Sequence, residues 1–333
     1  MMDYIKAEEA LSKLRWARFR LTYQAETEVR LPPFKGSTLR GPFGHAFHRM
    51  VCTRTEYPAC VKCPLRGLCP YALVFEPSPP ENSKIMQRFE DVPRPFVFEC
   101  SDERTLLQPG ELFSFDFLVF GKAVQFFPYF VLVFRDTGME GIGKGRGKIK
   151  LLSVECLEKE ASFKVYSSED NLVRTGWKQC EGSELLKTDH SQSLNSSLTM
   201  DFQTMTRLTH RGRYVDVPEF HILVRNLARR LSTLLYFYHY TELAVDYPAL
   251  FAQAENVRLV ANQTTWQEWV RYSRRQQEKM LMGGLVGKAT YQAETKDGFR
   301  MFLPFLLLGQ ITHVGKGTVF GLGKYEVKIY QGQ

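Results

Sequence analysis

Three sets of side chains in this 333-residue chain have the types and spacing for chemistry. The first is cysteine. Cys52, Cys60, Cys63 and Cys69 follow a C-x7-C-x2-C-x5-C spacing and are four of the seven cysteines present. A C-x2-C turn lets two thiolates meet one ion, and a flanking pair can complete a tetrahedron. The spacing predicts a structural zinc site, with an iron–sulfur cluster or unligated thiols as alternatives. No ligand position is left spare, which favours a staple over a catalytic metal. Cys100, Cys156 and Cys180 are dispersed and read as packing residues.

The second set is glycine with lysine. The stretch His313-Val-Gly-Lys-Gly-Thr-Val-Phe-Gly-Leu-Gly-Lys-Tyr325 holds four glycines and two lysines. Apolar Phe302 to Ile311 precedes it and alternating Lys324 to Tyr330 follows, so the loop joins a helix to a strand. Dinucleotide fingerprints and P-loops need the reverse order, so that a helix N-terminus can hold phosphate. Such a loop can still bind phosphate through backbone N–H groups, because glycine lets the chain come close. A plain surface turn is the competing reading. The same order occurs earlier: apolar Pro128 to Phe134, then Gly141-Ile-Gly-Lys-Gly-Arg-Gly-Lys148, then a strand from Ile149. This repetition predicts two copies of one fold.

Histidine is the third set. His45 and His48 are three apart and share a helix face, and His313 stands at the mouth of the later glycine loop. An imidazole titrates near neutrality and can serve as acid or base. A hydrogen-bonded structural role is the alternative for each.

The elements that must position these groups follow from periodicity. Leu14 to Tyr23 alternates as a first strand, with arginines 15, 18 and 20 among its exposed positions. A helix from about Leu39 to Met50 is capped by Gly36-Ser-Thr, despite Pro42 and Gly44. Glu76 to Pro95 reads as loop, and Phe96 to Phe98 and Glu111 to Phe120 read as strands. Later come a strand from Leu198 to Leu208, a helix from Pro218 to Tyr240 and a strand from Gly283 to Ala293. That helix carries Arg225, Arg229 and Arg230 on what reads as a solvated face, and His221 one turn earlier. Aromatic and basic residues interleave from Trp269 to Gln276, a mixture suited to bases and phosphates. Each half reads as strand–helix–strand–strand–helix–strand, which predicts an α+β protein of two tandem ferredoxin-like domains. The expected bounds are an N-terminal domain over 1–160 with the cysteine knuckle at 52–70, a polar linker or insertion over 161–196, and a C-terminal domain over 197–333.

Hydrophobic residues make up 44% of the chain, which places it among globular proteins. A formal net charge of +8 suits nucleic acid without requiring it. No apolar run approaches the ~18–20 residues needed to span a bilayer. The first ten residues lack the apolar core of a signal peptide, so a cytoplasmic protein with reduced thiols is expected.

The loop at 313–325 resembles the C-terminal glycine-rich loop of CRISPR-associated endoribonucleases of the RAMP superfamily, in the branch that processes precursor CRISPR RNA. The similarity extends to Arg271-Tyr-Ser-Arg-Arg-Gln276, Gly283-Gly284, Leu39-Arg-Gly-Pro-Phe-Gly-His45, the cysteine knuckle ending Cys69-Pro-Tyr-Ala-Leu-Val-Phe-Glu76, and Pro93-Arg-Pro-Phe96. The resemblance implies tandem ferredoxin-like domains that bind CRISPR repeat RNA and cut precursor crRNA once per repeat. The implied chemistry needs no metal: the ribose 2′-hydroxyl attacks the adjacent phosphate, leaving 2′,3′-cyclic phosphate and 5′-hydroxyl ends. His45, in the matching run, is the implied catalytic histidine, with His313 and His48 as further candidates. Implied RNA contacts are Lys35, Arg40, Lys144, Arg146, Arg271, Arg275, Gly315, Lys316, Gly317, Gly321 and Gly323. The partners implied are repeat RNA and other CRISPR effector subunits, with no membrane. A reading from a different class is a non-catalytic RAMP subunit that holds guide RNA and needs no histidine beside the scissile phosphate. An unrelated zinc-ribbon module would explain the cysteines but not the duplicated loops.

Overall fold

The computed structural model describes residues 2–54, 59–79, 83, 92–159, 161–187, 194–273 and 278–331. They form two compact units, residues 15–180 and residues 1–14 with 181–333. Helix α1 (Met2–Ser12) therefore belongs to the later unit, although it precedes the other unit in sequence.

Unit 15–180 runs β1 (Arg15–Ala25), α2 (Gly36–Val51), β2 (Phe96–Glu99), β3 (Leu112–Phe120), α3 (Phe127–Glu140), β4 (Ile149–Leu157) and β5 (Ser162–Ser167). The sheet is antiparallel in the order β2-β3-β1-β4-β5. Its first four strands have the ferredoxin-like arrangement, and β5 is added at the edge. Alternation in β1 drives the layering: Phe19, Leu21 and Tyr23 are buried on the helix side. Phe43 of α2 sits fully buried among the rings of Phe47, Phe75, Phe96, Phe98, Phe117, Phe130 and Phe134, at centroid separations of 4.9–6.2 Å.

Of the β1 arginines, Arg15 and Arg20 are exposed as expected and Arg18, on the opposite side, is half-buried. Arg18 bonds Glu99 at 3.0 Å and Asp116 at 3.2 Å, while Arg20 bonds Asp116 at 2.8 Å. These arginines are tied into a cross-strand ion network instead of standing free. Helix α2 also starts earlier than expected, with Lys35 at its N-cap position and no side-chain cap, so Ser37 and Thr38 fall within the helix. Gly44 is required by packing, because a Cβ there would lie 2.0 Å from the Phe75 ring.

The later unit runs β6 (Leu194–Thr206), a small hairpin of β7 (Thr209–His210) and β8 (Arg213–Tyr214), α4 (Phe220–His239), α5 (Tyr247–Glu255), β9 (Arg258–Gln267), a hairpin of β10 (Val270–Ser273) and β11 (Glu278–Leu281), β12 (Gly284–Gln292), α6 (Leu303–Thr312) and β13 (Tyr325–Gln331). Its sheet has the order β9-β12-β6-β13, the same strand order as before. The fold is thus two tandem ferredoxin-like domains, as the repeated pattern predicts. Helices α4 and α6 pack together, and α1 packs on both. Gly309 lets them close, since a Cβ there would meet Leu227 at 2.3 Å and the Tyr325 hydroxyl at 2.0 Å.

The polar stretch 161–196, expected as a linker or insertion, is divided between the two units. Its residues 162–167 supply β5 to the first sheet, and Gly182–Leu186 forms a short helix packed on α1 in the later unit. Polarity misleads here because an edge strand wets one face. Among the described residues no helix is long and apolar enough to cross a membrane.

Phe43→Ala removes the ring at the centre of the aromatic cluster. It should lower unfolding free energy by about 3–5 kcal/mol, read by chemical denaturation.

Candidate functional site

The two glycine loops are built on one hydrogen-bond plan. Helix α3 ends at Gly141 (φ 86°, ψ 149°) and α6 at His313 (φ 59°, ψ 165°). The Ile142 N–H then donates to the Gly147 carbonyl at 2.9 Å, and the Val314 N–H to the Gly323 carbonyl at 3.0 Å. Lys144 N–H donates to the Arg30 carbonyl at 2.9 Å, and Lys316 N–H to the Arg207 carbonyl at 3.0 Å. Each loop closes on a threonine: Lys148 N–H bonds Thr27 Oγ1 and Lys324 N–H bonds Thr204 Oγ1, both at 2.9 Å.

The partner segments are Thr27-Glu-Val-Arg30 and Thr204-Met-Thr-Arg207, which share a T-x-x-R spacing after or at the end of the opening strand of each unit. Sequence reasoning missed this pair, although the repeated spacing was available to find it. The approach between loop and partner is possible only for glycine. A Cβ on Gly143 would stand 2.1 Å from the Arg30 carbonyl oxygen, and one on Gly315 would stand 2.4 Å from that of Arg207. Both glycines also have positive φ, 73° and 83°.

The lysines that follow, Lys144 and Lys316, are exposed, and so is Arg146. Gly321 and Gly323 differ from expectation. They are buried, and a Cβ on Gly323 would come within 1.9 Å of the Val314 carbonyl oxygen. They shape the loop from within, while Gly315 and Gly317 remain partly exposed.

Charge separates the two copies. Arg30 is mostly exposed and bonds Glu28 at 2.7 Å. Its counterpart Arg207 is only 9% exposed, and Met205 replaces the acid. The Arg207 guanidinium lies 4.3 Å from the Tyr214 ring centroid and donates to the Leu281 carbonyl at 3.4 Å and to Met282 Sδ at 3.1 Å. Arg271 lies over the Phe320 ring at 4.7 Å, and burial holds its guanidinium below the ordinary arginine range. Arg230, expected on a solvated face, is buried. It donates to the Thr312 carbonyl at 3.2 Å, and burial pushes its pKa down to about 10.

Among the described residues none of these three arginines has a carboxylate partner. Aromatic faces and helix-terminal carbonyls only partly offset a desolvated cation. The later glycine loop is therefore backed by uncompensated positive charge, and an anion is the ligand it suits.

The histidines divide sharply. His45 is exposed on α2, one turn before Arg49, which bonds Glu140 at the entrance to the first glycine loop. His48 is half-buried with its ring edge-on to Tyr71 at 4.7 Å. His313 is fully buried, with Nδ1 3.0 Å from the Leu322 carbonyl. That burial overturns the expected catalytic role, because no substrate atom can reach the ring; His313 braces the loop. Lys35 is corrected likewise. It is buried, its Nζ donates to the carbonyls of Asp102 and Pro33, and burial pushes its ammonium pKa down. Arg40 is half-buried over the Phe75 ring at 4.4 Å. Arg275 lies outside the described residues.

The four cysteines are all half-buried. Cys63 N–H donates to the Cys60 carbonyl at 3.1 Å, closing the C-x2-C turn. Burial, Glu76, Cys69 and Cys52 together push the Cys60 thiol up to about 12, so these groups stand within electrostatic reach. Among the described residues no three His, Cys, Asp or Glu side chains are grouped so as to hold a metal ion.

A family model described as CRISPR-associated endoribonuclease Cas6 matches residues 200–325, and one described as an N-terminal domain matches residues 14–178. An uncharacterized protein of Archaeoglobus fulgidus is 23% identical over 303 residues, covering 90% of this chain and 94% of its own. Among solved structures the chain is similar to Thermus thermophilus Cas6, with TM-score 0.51 and 12% identity over 95% of this chain and 99% of that one. A Cas6 product complex gives TM-score 0.53 at 13% identity, covering 94% of this chain and 100% of that one. A partial Cas6-RT-Cas1–Cas2 complex gives TM-score 0.55 at 13% identity, covering 95% of this chain but 46% of the larger one. At such identities these structures establish the fold.

Gly315→Ala should cost about 2 kcal/mol or more, since it combines a positive φ with a collision against backbone. Gly145→Ala, also at positive φ but with no atom within 4 Å, should cost about 1 kcal/mol. Paired thermal melts would show the difference.

Proposed function

From a Cas6-family domain at residues 200–325, we propose that the protein binds CRISPR repeat RNA and cuts precursor crRNA once per repeat. The observation that carries the reading is the later glycine loop, where Lys316 is exposed above arginines that lack carboxylate partners among the described residues. Phosphate is the anion such a loop takes from RNA. The similar structures include a Cas6 product complex and a Cas6-RT-Cas1–Cas2 assembly. They support RNA and other CRISPR proteins as partners, and we place the reaction in the cytoplasm.

The chemistry we assign is attack by the ribose 2′-hydroxyl on the neighbouring phosphorus. A base takes the 2′-hydroxyl proton as the O–P bond forms. The P–O5′ bond breaks, and an acid protonates the leaving oxygen. The products are a 2′,3′-cyclic phosphate and a 5′-hydroxyl, with no metal ion required. His45 is the residue we assign to one of the two proton transfers, because it is the exposed histidine of the three candidates. His48 is the second choice. Lys144 and Arg146 project from a loop in the same unit, where a cation would steady the charged phosphorane.

His45→Ala should slow cleavage by roughly 10²–10⁴-fold while RNA affinity stays nearly unchanged. The assay is single-turnover cleavage of repeat RNA in EDTA, with the product ends identified. An unchanged rate would remove His45 from the reaction. Wild-type protein that binds repeat RNA tightly and never cuts it would favour the non-catalytic guide-holding subunit instead.

For the knuckle, we propose that Cys52, Cys60, Cys63 and Cys69 hold a structural zinc ion. Four thiols in a C-x7-C-x2-C-x5-C spacing and a reduced compartment suit zinc. An iron–sulfur cluster is the alternative. Metal analysis of purified protein should return about one zinc per chain. Iron with a visible chromophore, or no metal, would count against zinc.

A further inference from the structure

The hairpin β7–β8 lies between β6 and α4 and is used by neither the sequence reading nor the assignment above. Thr209 faces Tyr214 and His210 faces Arg213, leaving Arg211-Gly212 as a two-residue turn. Both turn residues have positive φ, 48° and 79°, the requirement of a type I′ turn that matches strand twist. An arginine in the left-handed region is uncommon, so the tip is held in a defined geometry.

The base of the hairpin is locked as well. Asn226 of α4 accepts from Thr209 N–H at 3.2 Å and donates to the Thr209 carbonyl at 3.0 Å. Val215 N–H donates to the Leu208 carbonyl at 3.1 Å below it. A rigid stalk thus presents exposed Arg211 and Arg213 together with Tyr214, which is 48% exposed.

Arg207 links this stalk to the glycine loop. Its guanidinium covers the Tyr214 ring at 4.3 Å, and its carbonyl holds the Lys316 N–H at 3.0 Å. The hairpin and the exposed lysine hang on one residue of one unit.

We propose that the hairpin is a further contact for single-stranded RNA. A base stacks on Tyr214, and Arg211 and Arg213 take flanking phosphates. Aromatic rings accept any base face, and arginines beside them neutralise the backbone that a stacked base brings along. The proposal rests on the RNA-binding reading of the glycine loop and extends its footprint along the strand.

The test compares wild type, Tyr214→Ala, Tyr214→Phe, the double variant Arg211→Ala/Arg213→Ala, and Lys316→Ala. Affinity for fluorescent repeat RNA is measured by anisotropy over a salt series. Tyr214→Ala should weaken binding about ten-fold, whereas Tyr214→Phe, which keeps the ring, should stay within about two-fold of wild type. The double arginine variant should reduce the slope of log affinity against log salt by about 1.4, two single-strand phosphates at ~0.7 each. If Tyr214→Ala and the double variant match wild type while Lys316→Ala loses affinity, the hairpin contact is wrong and the glycine-loop reading stands. Tyr214→Phe falling as far as Tyr214→Ala would overturn the stacking. Wild type that does not bind repeat RNA at all would remove the reading on which both depend.

Discussion

The architecture depends on a close backbone approach made twice. In each unit a loop amide reaches the carbonyl of an arginine just past the opening strand, Arg30 in one and Arg207 in the other. Only a glycine immediately before that amide allows it, since a Cβ would stand little more than 2 Å from the carbonyl oxygen. The approach fastens the last helix and strand of each ferredoxin-like unit to its first strand, and it turns the following lysine outward. Fold closure and the presentation of a cation are therefore one event.

Because the two sites share a backbone plan, their differences report divergence of use. Beside the first loop an acid, Glu28, pairs with the arginine. The second has Met205 at the matching place, and its arginine is sunk between an aromatic ring and a sulfur. Buried cations without anions weaken a fold unless something else stabilises them. A bound phosphate, as proposed for RNA, would supply that compensation.

Glycine and alternation made the fold legible, because both act locally. The Gly-Lys-Gly repeat follows from φ values that only glycine adopts comfortably, and the strands follow from one dry face each. Burial was not legible. His313 and Lys35 have the side chains of catalytic or phosphate-binding residues, yet both are buried, His313 against Leu322 of its own loop and Lys35 against the distant Asp102. Arg18 looked exposed until Glu99 and Asp116 were brought beside it by strand pairing. The hairpin at 209–214 was missed because Thr-His-Arg-Gly-Arg-Tyr carries no apolar period, and the T-x-x-R pair because neither residue type announces a structural role alone. Of the candidate residues, Lys144, Arg146, Lys316 and His45 are exposed.

The placement of α1 has a consequence for how the chain is made. Helix α1 (Met2–Ser12) packs on α4 (Phe220–His239) and α6 (Leu303–Thr312), with the whole of the other unit between them in sequence. During synthesis it emerges long before any surface exists to receive it. Residues 15–180 can complete their own core meanwhile, so the earlier unit matures first and the first helix docks last. Such long-range closure slows folding and leaves an apolar helix face uncovered on the ribosome. The burial of α1 thus waits on residues more than 200 positions later in the chain.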